Sequence, residues 1–347
     1  MSRPVVVKLG TGLVVGEDGA VRTDLLHARA REIAALVAGG EPVCVVSSGA
    51  IALGLPKLGL ARRPKSMAKL QAASALGQAR LQAAWEDALG AHGIPAAQIL
   101  LAASDVSDRT AYINARQAFA ELFRLGAVPV VNENDATATD EITFGDNDAL
   151  AAQVAVLVRA GLLVLLTEVE GVYSRAPGTE GAELLLEGSL AAEAEIGSGS
   201  ELGRGGMGSK VLAAQMASAG GIPTVIAGGS GDDVLGPILA GEARGTRFAA
   251  DDRGATAFKL WLRFGKPVAG RLHVDEGARQ ALVDKGASLL GVGVVRCEGD
   301  FEPGAAVELV GPDGAVFGKG IAGAGADEIA GQRGVEAVHR DKLVLYP

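Results

Sequence analysis

The chain has 347 residues, of which 48% are hydrophobic, and it carries 50 glycines and a formal net charge of −9. This composition is typical of a globular α/β protein and excludes a disordered or fibrous chain, while the length allows two domains. The negative charge disfavours broad electrostatic attraction to nucleic acid or anionic membranes. The two cysteines, Cys44 and Cys297, lie far apart and support neither a disulfide framework nor a zinc site.

The beginning of the chain, PVVVKLG, is typical of a buried strand. It has neither the basic region nor the long apolar segment of a signal peptide. No apolar run approaches the length that spans a bilayer. We therefore expect a cytoplasmic protein without a membrane partner.

Strand-like apolar runs alternate with helix-like segments through about residue 264. The predicted strands are 5–10, 42–50, 98–101, 127–131, 161–167 and 221–227. The predicted helices are 25–38, 66–91, 112–125, 149–159 and 209–219, with a break or mobile loop at Gly77-Gln78. Strands that are apolar throughout indicate a parallel sheet with both faces covered. The prediction is an α/β fold, a three-layer αβα sandwich with a mainly parallel open sheet.

After Phe264 the pattern changes to short strands separated by Gly, Pro and Asp turns. One helix is predicted there, from Glu276 to Lys285. This pattern indicates a small, mainly β, barrel-like domain. The predicted domains are therefore 1–264 and 265–347.

Two clusters of Asn and Asp follow the apolar run 127–131. They are Asn132, Glu133, Asn134 and Asp135, and then Asp146, Asn147 and Asp148. Open α/β sheets bind ligands beyond the carboxyl ends of their strands, and amide donors beside carboxylates suit a small zwitterion next to a metal-bound phosphate. Asx-rich turns are the alternative. These residues alone leave both interpretations open.

Polar groups also follow the first two predicted strands. Lys8 stands in KLGTG, where an ammonium and the backbone N–H groups of small residues can meet phosphate oxygens. Ser48 lies in SSGA, where a hydroxyl can bind a carboxylate or phosphate. A surface lysine and a helix-capping serine are the alternatives. The two turns become informative together, because both lie at the edge where the Asn/Asp clusters lie.

The segment GRGGMGSK, Gly203 to Lys210, precedes a predicted helix. Its glycines allow backbone N–H groups to approach phosphates, and Lys210 adds positive charge. It lacks the spacing of a P-loop, and no dinucleotide fingerprint follows the first strand. A flexible glycine linker is the alternative. Thr167 and Glu168 lie at the end of another strand. They are candidates for contact with the ribose or base of a nucleotide. The alternative is that they are ordinary polar residues where a strand passes into a loop.

The motifs KLGTG, VVSSGAIALG, NEND with FGDND, LLTEVEGVY and GGMGSK occur in the order and spacing of the glutamate 5-kinases of the amino acid kinase family. The segment that begins KLWLRFGKPVAGRLHVDEGARQAL is similar to the linker and PUA domain of many of those enzymes. The resemblance covers essentially the whole chain. It implies ATP-dependent phosphorylation of the γ-carboxylate of L-glutamate, with Mg²⁺ bridging phosphate oxygens and few or no protein ligands on the metal.

The resemblance also implies roles for individual residues. Lys8 and Lys210 hold the β- and γ-phosphates, Asp148 orients the two lysines, and Asp135 is the partner of the substrate's α-ammonium. The implied glutamate contacts are Ser48, Gly49, Ala50, Asn132, Asp135 and Asn147. The implied ATP contacts are Lys8, Gly10, Thr11, Thr167, Glu168, Arg204, Gly205, Gly206, Met207, Gly208, Ser209 and Lys210.

The chain departs from the family pattern at three places. Glu168 stands where Asp is more usual, and KLGTG replaces the commoner KLGTS, so Gly12 removes a hydroxyl. In the PUA segment, GIAGAGADEIAG lacks the usual Ser- and Asn-rich character. Acidic residues outnumber basic ones in 265–347, so RNA binding by this domain is not expected. We expect a structural or regulatory role for it instead.

Two alternatives remain beside a glutamate kinase. One is another member of the amino acid kinase family, acting on N-acetylglutamate, aspartate or a nucleotide, although an N-acetylated substrate does not need the carboxylate of Asp135. The other is an RNA-binding regulatory protein with a vestigial kinase fold. The resemblance further implies a homo-oligomer, a dimer or tetramer, and feedback inhibition by proline near the glutamate site and residues 66–81.

Overall fold

The computed structural model describes residues 2–60, 62–102, 105, 109–137, 147–192, 206–251, 257–260, 262–263, 266 and 268–346. The chain forms two compact units, 1–257 and 258–347. The predicted boundary between residues 264 and 265 lies outside the described residues and stays a prediction. None of the described helices combines the length and apolar character that crossing a bilayer requires. Both cysteines are free thiols.

The first unit is built on a seven-stranded sheet. Its strands are β1 Val5–Leu9, β2 Val43–Ser47, β3 Ala96–Leu101, β4 Val128–Glu133, β5 Leu162–Thr167, β6 Thr224–Gly228 and β7 Thr246–Phe248. The strand order is β3-β4-β2-β1-β5-β6-β7. Every neighbouring pair is parallel except β6 and β7, which are antiparallel. The predicted mainly parallel sheet is confirmed.

Helices connect these strands. They are α1 Thr11–Val14, α2 Thr23–Ala38, α3 Ala50–Gly54, α4 Met67–Gly90, α5 Arg109–Arg124, α6 Asn147–Leu157, α7 Met207–Ala219 and α8 Leu235–Leu239, with 3-10 turns at Leu55–Leu58 and Gly188–Ala192. Helix α6 begins two residues before its predicted start. Asn147 and Asp148 therefore lie in its first turn and not in a loop.

Side chains along β1 alternate between the two faces of the sheet, so the helices on each face contact different β1 residues. Val5, Val7 and Leu9 point to the core that β1 shares with α2 and α4. Because successive side chains of a strand point to opposite faces, Lys8 points to the other face. There it pairs with Asp148 of α6, and Asp148 also pairs with Lys210 of α7, the helix that packs against α6.

The predicted interruption of α4 at Gly77-Gln78 is wrong, because α4 is continuous from Met67 to Gly90. A Cβ atom on Gly77 would lie 1.8 Å from the carbonyl oxygen of Ala50, and one on Gly54 would lie 1.7 Å from the carbonyl oxygen of Ala73. The two glycines let the backbones of α3 and α4 touch. Gly77 thus serves close helix packing and not a hinge.

This contact predicts a large stability effect. Gly77→Ala should destabilise the protein by about 3 kcal/mol, because backbone atoms cannot move aside as a flexible side chain can. Gly90→Ala, at the end of the same helix, has open space around its Cβ and should be neutral or stabilising by up to about 1 kcal/mol. Chemical denaturation of both variants measures the difference. Equal free energies of unfolding would show that the helices do not touch here.

The second unit carries a six-stranded, curled sheet. Its strands are β8 Val268–Val274, β9 Leu289–Leu290, β10 Val294–Glu298, β11 Ala306–Val310, β12 Val316–Ala322 and β13 Glu336–Leu345, in the order β10-β8-β11-β12-β13-β9. Helix α9 (Ala257–Leu260) precedes the sheet, and α10 (Glu276–Lys285) and α11 (Ala326–Ile329) lie within the strand sequence. Helix α10 has its predicted bounds, and the Asp275 side chain caps it by accepting from the Ala278 N–H at 2.7 Å. The predicted small, mainly β domain is confirmed.

Candidate active site

A buried carboxylate joins two lysines from different elements. Lys8 Nζ on β1 lies 2.5 Å from Asp148 Oδ1, and Lys210 Nζ on α7 lies 3.2 Å from Asp148 Oδ2. All three side chains are at most 6% exposed. The geometry matches the predicted arrangement, with Asp148 between the two lysines. Two ammonium groups converge on this carboxylate, and converging cationic side chains suit a phosphate chain.

The surroundings of Asp148 keep it ionised. Burial alone raises the pKa of its carboxyl group, but Lys8 and Lys210 together with hydrogen bonds from Lys8 and Ser209 bring the pKa below its usual value. Ser209 Oγ donates to Asp148 Oδ2 at 2.7 Å. The carboxylate is therefore ionised at neutral pH and is placed where it can orient the two ammonium groups.

The first turn of α7 carries the described end of the glycine-rich segment. The helix begins at Met207, three residues before Lys210, with Gly206 as its N-cap residue. The first N–H groups of a helix lack intrahelical partners and favour anions. Met207 and Gly208 thus lie where a phosphate can be held. Arg204 and Gly205 lie outside the described residues.

A chain of side-chain hydrogen bonds links three of the predicted glutamate contacts. Asn147 Nδ2 lies 3.2 Å from Ser48 Oγ and 2.9 Å from Asn132 Oδ1. Asn132 Nδ2 in turn lies 2.8 Å from Gln78 Oε1. The chain connects the carboxyl ends of β2 and β4, the first turn of α6 and the middle of α4. The structure therefore brings the two Asn/Asp clusters into one site.

Asp135 supplies a buried carboxylate beside this chain. It is 4% exposed, and its Oδ2 accepts from Ser74 Oγ at 2.7 Å. Its Oδ1 is buried and accepts no hydrogen bond from a described residue. Burial raises the pKa of Asp135, against the opposing effects of Ser74 and Arg63. A carboxylate with one unfilled oxygen suits a ligand that brings its own cation.

Helix α4 supports the site through residues that lie outside the sequence motifs. Ser74 contacts Asp135, Gln78 contacts Asn132, and the indole N–H of Trp85 donates to Ser47 Oγ at 3.0 Å. All lie on one face of α4, at spacings of four and seven residues. Polar and aromatic side chains at buried and half-buried positions of an Ala-rich helix were the available signal. The predicted glutamate contacts Gly49 and Ala50 directly follow Ser48 in the sequence, and α3 begins at Ala50.

The loop after β1 lies against the end of β5. Gly10 places its α-carbon beside the Lys8 ammonium, since a Cβ there would lie 3.9 Å from Lys8 Nζ. Thr11 begins α1, whose next residue, Gly12, faces Glu168. A Cβ on Gly12 would lie 2.5 Å from Glu168 Cδ and 2.6 Å from both carboxylate oxygens. The Glu168 side chain is exposed, so this carboxylate is open to a ligand. Thr167 is half-buried and precedes it.

The metal-binding capacity of the described residues is small. They contain no group of three or more His, Cys, Asp or Glu side chains placed to hold a metal ion. Both oxygens of Asp148 are engaged by Lys8, Lys210 and Ser209. Asp148 is therefore better placed to orient the two lysines than to join a multi-residue metal site.

The fold and the site define a class of phosphoryl-transferring enzyme, and the family comparison agrees. Residues 3–228 match the model of the amino acid kinase family, and residues 270–340 match that of the PUA domain. The solved structure of a UMP kinase from Bacillus anthracis shares the fold, with a TM-score of 0.51 and 15% sequence identity. It covers 72% of this chain, and the match spans 96% of that chain.

Curated relatives give the particular family. A glutamate 5-kinase from Gloeobacter violaceus is 44% identical over 98% of both chains. One from Pelobacter propionicus is 40% identical over 98% of this chain and 97% of its own, and one from Sphingopyxis alaskensis is 42% identical over 98% and 97%. The chain belongs to the glutamate 5-kinases of the amino acid kinase family.

Proposed function

We propose that this site transfers the γ-phosphoryl group of ATP to the γ-carboxylate of L-glutamate, forming L-glutamyl 5-phosphate, the first step of proline biosynthesis. The observation that supports this most directly is the buried Asp148 between Lys8 and Lys210. The glutamate 5-kinase relatives, about 40% identical over nearly their full length, support the same reaction. Kinases of N-acetylglutamate or aspartate and a purely RNA-binding protein are not favoured.

The lysines supply the electrostatic part of the reaction. A γ-carboxylate oxygen of glutamate forms a bond to the γ-phosphorus while the bond from that phosphorus to the bridging β–γ oxygen breaks, and ADP leaves. Lys8 and Lys210 stabilise the charge on the transferring group, and Asp148 fixes where their ammonium groups point. No base is required, because a carboxylate nucleophile is already ionised at neutral pH. Positioning and charge stabilisation then account for the catalysis.

The amide chain and Asp135 form the amino acid side of the site. In the proposal, Ser48, Gly49 and Ala50 lie at the acceptor carboxylate, because they follow β2 beside Lys8. Asp135 pairs with the α-ammonium through its unfilled oxygen. Asn132 and Asn147 join the two ends. An N-acetylated amino acid would bring a neutral amide N–H in place of the ammonium, so Asp135 would lose its charged partner, a loss that a buried polar site discriminates strongly.

The remaining groups form the nucleotide side of the site. From the side of β1, the phosphates are approached by Lys8, Gly10 and Thr11. From the side of α7, they are approached by Gly206, Met207, Gly208, Ser209 and Lys210. Arg204 and Gly205 are expected to extend this second set. Thr167 and Glu168 lie toward the nucleoside. Mg²⁺ is proposed to enter the site bound to the ATP phosphates, since this ion often keeps its water ligands and takes few ligands from the protein. Lys8, Lys210 and Asp148 play their proposed parts in the transfer without a protein-bound metal.

The contact of Gly12 with Glu168 predicts a coupled effect on ATP. Gly12→Ser places a Cβ where the Glu168 carboxylate lies and displaces it, raising the ATP KM by about tenfold, the value of one hydrogen bond to a charged group. Glu168→Asp withdraws the carboxylate by one methylene. The double variant should therefore have an ATP KM nearer to wild type than Gly12→Ser alone. Additive effects in this double-mutant cycle would contradict the coupling.

Three wider features belong to the same proposal. Proline shares the α-carboxylate and cationic nitrogen of glutamate, so Asp135 and the N-terminal half of α4 are proposed to bind it as a feedback inhibitor. The chain is proposed to form a cytoplasmic homo-oligomer, a dimer or a tetramer. The acidic second domain is assigned a structural or regulatory role, with RNA binding not expected.

A hydroxamate assay tests the reaction. Hydroxylamine traps an acyl phosphate, so the purified protein with ATP, Mg²⁺ and L-glutamate should form γ-glutamyl hydroxamate. N-acetylglutamate and aspartate, run in parallel, should give a kcat/KM lower by at least about a hundredfold. Equal or greater turnover of either would overturn the substrate assignment, and absence of hydroxamate with all three would overturn the reaction.

A further inference from the structure

The hydrogen-bond chain from Ser48 to Gln78 has a direction that one backbone group determines. The backbone N–H of Glu133 can only donate, and its acceptor is Asn147 Oδ1 at 3.1 Å. The oxygen and nitrogen of the Asn147 amide are thereby distinguished. Asn147 Nδ2 is the donor toward both Ser48 Oγ and Asn132 Oδ1.

The same direction continues to Gln78. Since Asn132 Oδ1 accepts from Asn147, Asn132 Nδ2 donates to Gln78 Oε1. The Gln78 oxygen is thus occupied, and its Nε2 group donates to no described residue. At the other end Ser48 Oγ accepts from Asn147, so its hydrogen also remains to be donated. Both ends of the chain therefore present donors, which suits a ligand with two carboxylates.

The position of Gln78 selects which carboxylate it meets. Gln78 lies one helical turn after Ser74, so their side chains are neighbours on α4. Ser74 holds Asp135, whose free oxygen is proposed to take the α-ammonium. Ser48 instead lies at the end of β2, beside the strand that carries Lys8. We infer that Gln78 is a substrate-binding residue that donates from Nε2 to the α-carboxylate of glutamate. This inference rests on glutamate being the substrate.

Two variants separate substrate binding from a supporting role. Gln78→Glu keeps an oxygen to accept from Asn132 but replaces the donor by a second negative charge. Gln78→Leu removes both. If Gln78 binds the substrate, the glutamate KM should rise about tenfold in Gln78→Leu and by about a hundredfold in Gln78→Glu, with the ATP KM within about threefold of wild type. If it only supports Asn132, Gln78→Glu should match wild type and Gln78→Leu should be the impaired variant.

A ligand without the α-carboxylate provides the matched control. 4-Aminobutyrate is glutamate with that group removed, and its inhibition constant against glutamate is measured with each variant. Gln78→Leu should raise the glutamate KM and leave the 4-aminobutyrate constant unchanged; equal increases in both would overturn the inference. Calorimetric dissociation constants replace kinetic ones for any inactive variant, and thermal midpoints exclude misfolding. Failure of wild-type turnover would instead refute the proposed function.

Discussion

Replacing Asp148 with asparagine is expected to lower kcat by about a thousandfold, at the upper end of losses from removing one electrostatic catalytic group. The carboxylate holds Lys8 and Lys210 at 2.5 and 3.2 Å, and asparagine cannot neutralise either ammonium. Both lysine side chains are retained in this variant, so the ATP KM should change far less than kcat. Steady-state kinetics over both substrates measures this split.

Ser209→Ala is the matched control for this prediction. It removes one hydrogen bond to Asp148 Oδ2 and leaves both ion pairs in place. We expect its kcat to fall by less than about tenfold, the value of one hydrogen bond to a charged group. If Ser209→Ala lowers kcat as much as Asp148→Asn does, the loss would come from disturbing the first turn of α7 and not from removing the charge of Asp148.

The pH dependence of stability gives an independent test of Asp148. Its pKa lies below the ordinary aspartate value in the folded protein, so its stabilising contribution is fully present above the unfolded-state pKa. That contribution is lost as the pH falls through the lower folded-state pKa. The gap in free energy of unfolding between wild type and Asp148→Asn should therefore narrow on acidification. A gap that is constant with pH would contradict the two ion pairs.

The second large effect is expected at Asp135. Asp135→Ala should raise the glutamate KM by about a hundredfold or more, since the substrate's α-ammonium would lose a buried charged partner. The ATP KM should change by no more than about threefold, because Asp135 is held by Ser74 of α4, on the amino acid side of the proposed site. Equal changes in both constants would remove Asp135 from the amino acid site.

The raised pKa of Asp135 adds a stability prediction of the opposite sign. Burial is its main cause, so the ionised form costs free energy in the unliganded protein. Stability due to this group is greatest below the unfolded-state pKa and declines as the pH rises through the folded-state pKa. At neutral pH, unliganded Asp135→Asn should be at least as stable as wild type. Thermal unfolding without glutamate checks this, and a markedly less stable variant would assign Asp135 a structural role.

Much of the fold was predictable because its signals are local. Continuous apolar strands with intervening helices indicated the parallel sheet, and the turn-rich pattern after Phe264 indicated the second domain. The break at Gly77-Gln78 was a wrong prediction, because the reason for that glycine is the carbonyl oxygen of Ala50 on a different helix. Sequence alone does not show how closely two helices approach. A glycine within a helical pattern therefore looks the same whether it allows close helix packing or breaks the helix.

The site was predictable where polar residues follow strands and unpredictable where helices support them. Lys8, Ser48 and Asn132 were predicted as site residues because they lie at strand ends. Ser74 and Gln78 were missed, because their partners are 61 and 54 residues away and α4 resembles an ordinary Ala-rich helix. The coupling of Gly12 to Glu168 also required the structure, although each was visible as a departure from the family pattern.

We propose that one active site binds both ends of glutamate, with Asp135 at the α-ammonium and the Asp148 cluster at the reacting carboxylate. Glutarate, which lacks only the α-amino group, tests this division when its inhibition constant is compared with the glutamate KM. Wild type should prefer glutamate by about a hundredfold, and Asp135→Asn should reduce that preference to within about threefold. An Asp135→Asn variant that keeps the full preference for glutamate would contradict the claim.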